Sequence, residues 1–136
     1  MATYNKFNQT VEDMANGVYN CATDQFTVAL TVAAPVATNT VLANLTEIAY
    51  TNISGRNLTT ASSGQTSGTF TQLFSDLVLT ASGGPVAAFR YITIYDNTPT
   101  SPADPLLCFY DFGSSLVLAD GETLTIDFTT STFTLA

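Results

Sequence analysis

The side chains that could do chemistry are few in this chain: eleven carboxylates, three cations, two cysteines and no histidine. Lys6, Arg56 and Arg90 are the cations, and they are far apart in sequence. Enzyme sites draw on an imidazole, a cation or a clustered ligand set to move protons or hold developing charge. With those groups scarce, paired carboxylates are the remaining catalytic option. A glycosidase needs two carboxyls facing one cleft, one of them with a pKa raised by burial. Asp120 and Glu122 instead flank Gly121, which reads as a solvated turn. Asp96, Asp104 and Asp111 fall in an aromatic-rich stretch, but Asp96 and Asp104 lack the regular Asp/Asn ladder of a dedicated calcium loop. Ser114 and Ser115 have no histidine to activate them. Tyr91, Tyr95, Phe109, Tyr110 and Phe112 could form a stacking platform for a sugar, yet the chain has no tryptophan and these residues fit strand positions in a core. The expectation is a protein that is not an enzyme and that uses neither a cofactor nor a metal.

Cys21 and Cys108 form no close-spaced motif, and their default reading is two reduced, buried small hydrophobes. The segment MATYNKFNQT has no apolar stretch of the signal-peptide kind, which predicts synthesis and assembly in a cytoplasm. No apolar run approaches the roughly 20 residues of a membrane helix. A net charge of −8 with three scattered cations argues against nucleic acid, because phosphate binding needs clustered Lys or Arg. The chain is 46% hydrophobic and only 10% charged, which excludes a disordered chain. Thr and Ser fill about a quarter of it, so it is solubilised by hydroxyls more than by ions. Such a surface is easier to bury against a neighbour, since fewer ions must lose their water.

These residues are positioned by a β-patterned chain. Residues 3–19 predict one amphipathic helix, with Phe7, Val11, Met14 and Val18 on a single stripe and Gly17 at its end. From Asp24 the period becomes two. Phe26, Val28, Leu30 and Val32 alternate with polar or small residues, predicting a half-buried strand. A short strand over 45–50 is expected next, then a flexible Thr/Ser/Gly-rich stretch over 57–71. The mixed pattern from Phe70 predicts a helix-like turn leading into a strand over 77–80. Residues 88–95 carry apolar groups on both faces, as a central strand does. A loop with three prolines over 96–105 precedes a strand from Leu106 to Phe112. Asp120-Gly121 predicts a hairpin between residues 115–119 and 122–128, and Phe133 and Leu135 resume the alternation. Phe26, Leu30, Tyr91, Ile126 and Phe128 are the expected core. The fold class is therefore mainly β, an antiparallel sandwich or barrel of jelly-roll-like form, with one N-terminal amphipathic helix. Residues 1–20 form the helix or arm, and residues 21–136 form a single β domain.

The stretches MATYNKFNQTVEDMANGVYN and FTVALTVAAPVATNTVLANLTEIAYTN, with RYITIYDNTPTSPADPLLCFYDFGSSLVLADGETLTIDF, resemble a family of small virion structural proteins of tailed bacteriophages. The resemblance is one of overall wording and brings no active residues with it. It implies a virion component assembled in the bacterial cytoplasm, with the phage major capsid protein as partner. Acidity and low charge density fit the outside of a capsid better than its DNA-facing interior. The expected function is thus capsid decoration or cement by a small homo-oligomer, without nucleic acid or membrane. A tail or head–tail component and a carbohydrate-binding adhesion module are the alternatives. Tyr4, Phe7 and Val11, on an N-terminal arm, are the expected protein interface.

Overall fold

The computed structural model describes residues 3–128 and 132–135. Its centre is β6 (Phe89–Asp96), whose two apolar faces are explained by neighbours on both sides. β2 (Phe26–Thr31) and β7 (Leu106–Leu116) flank it, and β1 (Thr3–Lys6) extends the sheet beyond β7. Every pair in this β1-β7-β6-β2 sheet is antiparallel. A second layer comes in two pieces. One is β3 (Thr60–Thr66), β4 (Thr69–Phe74) and β9 (Phe133–Leu135); the other is β5 (Leu77–Thr80) with β8 (Thr123–Ile126). The main core lies between the layers, where Phe26, Val28, Leu30 and Ile94 meet Phe74, Leu79 and Phe128. Ring centroids stand 5.2 Å apart for Phe26–Phe74 and 5.7 Å for Phe74–Phe128. Among the described residues the architecture is the expected mainly β, antiparallel one with a single α-helix. It is sandwich-like and does not close into a barrel.

The outer face of the first sheet is covered as well. Phe7, Ala29, Tyr95, Leu106 and Phe109 make a smaller cluster there, with Leu42 and Leu45 packed on it. This explains why all six residues of β2 are buried, where alternation predicts a half-buried strand. Val32, expected on the buried face, lies past the strand end and is 59% exposed. Residues 45–50 form no strand. The chain from Glu47 to Asn57 instead runs beside β2 through isolated bridges, Thr31 to Glu47 and Thr27 to Asn57. Arg56 holds it there: its guanidinium donates to the Val28 carbonyl, lies 3.5 Å over the Tyr50 ring and pairs with Glu47 at 3.8 Å.

The N-terminal segment is not one helix over 3–19. Residues 3–6 pair with Cys108–Asp111 of β7, and only Gln9–Ala15 (α1) are α-helical, with Gly17 just past their end. The buried helix positions are Thr10 and Asp13, not an apolar stripe. Thr10 Oγ1 donates to the Leu107 carbonyl at 2.7 Å, so a hydroxyl docks the helix on β7. Two further expectations change in the second layer. The Thr/Ser/Gly-rich stretch and the Phe70 region form the β3–β4 hairpin rather than a loop and a helix-like turn. Its Ser67-Gly68 corner has both φ angles positive, at 50° and 83°, the backbone that two-residue hairpin turns require. Asp120-Gly121 is a turn, but β8 leaves it to pair with β5, Leu77 opposite Ile126 and Thr80 opposite Thr123. β7 in turn continues past Phe112 to Leu116, through a bulge at Gly113 with φ of 96°. Phe26, Leu30 and Phe128 are buried as expected, whereas Tyr91 and Ile126 are half-buried.

Candidate interaction surface

The fold assigns the carboxylates with catalytic possibilities to structural contacts. Asp111 accepts from Arg90 twice, at 2.8 and 3.0 Å, and from the Gly113 N–H at 2.8 Å. The guanidinium, then that amide, holds its carboxyl below the usual carboxylate range. Asp120 Oδ1 accepts from the Gly83 N–H at 3.0 Å, and Glu122 Oε2 from the Ala119 N–H at 2.8 Å, so both are turn residues. Asp76 Oδ1 accepts from the Phe128 N–H at 2.8 Å and ties β5 to the chain leaving β8. Four of the five aromatic residues considered for a sugar platform divide between two packing clusters, and half-buried Phe112 belongs to neither. Tyr95 and Phe109 are buried under the outer face, whereas Tyr110 packs on the main core.

Asp96 and Asp104 do not converge with a third ligand; among the described residues no group of three His, Cys, Asp or Glu side chains comes together. Asp96 is fully buried. Its Oδ1 accepts from the Thr98 N–H at 3.0 Å, and its Oδ2 has no partner among the described residues. Burial, and then the neighbouring Asp24 carboxyl, push its pKa up to about 7. Cys21 and Cys108 are both free and buried, and burial pushes the Cys21 thiol up to about 11. Both sit as small hydrophobes in the main core cluster.

One feature with binding character is an apolar groove of about 270 Å³. Tyr4 and Lys6 of β1, with Val11 and Met14 of α1, form one wall; Phe133 and Leu135 of β9 form the other. Buried Leu107 lies between them. Of the expected interface residues, Tyr4 and Val11 line this groove and are 43% and 54% exposed. Phe7 does not: it is 0% exposed, packed on Phe109 with ring centroids 5.1 Å apart. Leu135, 52% exposed, and Phe133 were not expected at a site. Nothing in the sequence links them to Tyr4, because they come from the opposite end of the chain and reach the groove only through β4. A second cavity of similar volume, about 270 Å³, lies between the layers beside β8, lined by Ile92, Tyr110, Leu124 and Phe128. No protein-family model, no curated protein and no solved structure matches this chain.

Proposed function

We propose that this chain is a virion structural protein of a tailed bacteriophage, working as a capsid decoration or cement protein. In this reading it grips neighbouring major capsid subunits on the outer capsid surface as a small homo-oligomer. The observation that carries the reading is the groove: exposed apolar side chains from both chain ends converge on a surface with few ions to desolvate. Apolar patches rimmed by polar residues mark interaction sites on proteins of this size. The sequence resemblance supports the choice of partner, and net charge of −8 supports the outer face over the DNA-facing one. The carboxylates engaged at Asp111, Asp120, Glu122 and Asp76 support association over catalysis.

The test is retention of the purified chain on capsids lacking it, read by co-sedimentation and by electron microscopy. Saturable binding with density over the capsid lattice is expected. Density on the tail alone, with a bare capsid, replaces the cement reading with a tail component. Binding to a glycan array without capsid retention replaces it with an adhesion module.

A further inference from the structure

We propose that the groove between β1, α1 and β9 receives an extended segment of a protein partner, which inserts one or two bulky apolar side chains and sets a carboxylate against Lys6. The proposal rests on reading the chain as an association protein, and three observations give the occupant its chemistry.

The first is the lining. The groove opens at the surface between exposed apolar side chains, which suits side-chain anchors, the buried centre of a protein contact. Val11, Met14, Leu107, Phe133 and Leu135 supply apolar walls for such anchors.

The second is charge. Arg56 is engaged by the Val28 carbonyl and Glu47, and Arg90 by Asp111. Lys6 makes no ion pair among the described residues, and it stands exposed at the groove. On a chain of net charge −8, an incoming carboxylate is repelled almost everywhere and attracted here.

The third is the backbone. β1 is bonded to β7 and β9 to β4, and among the described residues neither has a strand on its other side. Strand edges beside an apolar groove are the arrangement by which extended peptides are held, with backbone bonds for affinity and alternate side chains for specificity.

The test uses the full chain, immobilised, to select from a displayed library of short random peptides. Selected peptides are then measured in solution by fluorescence anisotropy. The expected result is a shared pattern of bulky apolar residues with an Asp or Glu at fixed spacing. Val11→Asp and Leu135→Asp should each weaken binding by about tenfold or more, and Lys6→Gln should weaken it and remove its salt dependence. Val78→Asp, at an exposed position on β5 outside the groove, should leave it unchanged. Melting curves check each variant's fold, and Val11, on the solvent side of a short helix, keeps the test decisive if Leu135→Asp unfolds. No enriched pattern, or binding indifferent to Val11→Asp, overturns the proposal. A pattern without a carboxylate overturns its charge component. Self-association of the wild type that Val11→Asp abolishes makes a second copy the occupant instead. Undiminished capsid retention by Val11→Asp removes the groove while leaving the association reading intact. Peptide selection through the groove without capsid retention does the reverse.

Discussion

Asp96 is the residue where the fold places ionisation and stability in opposition. Its carboxyl is fully buried at the end of β6, one oxygen bonded to the Thr98 N–H and the other unpartnered among the described residues. Burial and the adjacent Asp24 carboxyl raise its pKa from the ordinary 3.8 to about 7. A group that binds its proton more tightly in the folded than in the unfolded chain contributes stability at low pH. That contribution is complete below about pH 4 and is lost as pH rises through about 7. Unfolding measured by denaturant between pH 4 and pH 8 should therefore show stability falling with rising pH from this site. Asp96→Asn keeps an oxygen for the Thr98 N–H and has no proton to lose. It should flatten that dependence and raise the melting temperature at pH 8. An unchanged pH profile in Asp96→Asn would mean that the carboxyl is solvated in the folded chain. Sequence shows Asp96 only as an acid in a loop with Asp104. Its closeness to Asp24 follows from the pairing of β2 with β6, Phe26 opposite Asp96.

At the scale of elements, short pieces are fixed by what they dock on. α1 has seven residues, too few to be stable alone in water. Its anchor is Thr10, whose hydroxyl donates to the Leu107 carbonyl at 2.7 Å, with Tyr19 Oη donating to the Leu106 carbonyl at 2.5 Å nearby. Thr10→Val keeps the shape and leaves that carbonyl without the hydroxyl; it should cost about 1–3 kcal/mol, read by urea unfolding. A loss near zero would show that the helix is held by other contacts. The two pieces of the second layer are joined by a different device, the aromatic contact of Phe128 with Phe74. Phe128→Ala should cost about 3–5 kcal/mol by opening a cavity between the layers. An unchanged melting temperature would mean that Phe128 does not lie between them. The alternation around Leu124–Phe128 announces this burial in the sequence. The docking of α1 is not announced there, because a buried threonine on a helix has no periodic signature.

For the whole molecule, the consequences concern association. A contact built on apolar area and one cation should weaken only modestly with salt, since screening acts on exposed charges and not on buried surface. Capsid retention should thus persist in about 0.5 M salt, where the Debye length is well under 10 Å. Release at that concentration would point to a charge-driven contact instead. The N-terminal segment is also part of the domain it was expected to extend. Residues 3–6 are a sheet strand and Phe7 is core, so deleting residues 1–10 should lower the melting temperature along with any binding. The informative substitutions are therefore Val11→Asp and Lys6→Gln on the groove wall rather than a truncation.

Side-chain period and composition determined, by themselves, that the chain is β-rich, that β6 is central, that Phe26, Leu30 and Phe128 are inside, and that the Asp120-Gly121 pair is a turn. These are local properties: alternation marks a pleated half-buried surface, and special turn residues mark a reversal. Only the tertiary structure decided the rest. Thr3–Lys6 reads as helix on its own pattern, yet becomes a strand because the edge of β7 offers it backbone partners across a separation of about a hundred residues. Asp120-Gly121 turns the chain, but whether β8 pairs with its neighbour in sequence or with β5 depends on which layer has an open edge. The groove has the same origin. Tyr4 and Val11 are legible as apolar residues at the N-terminus and Leu135 at the C-terminus, while their convergence is a product of sheet order, which no local pattern encodes.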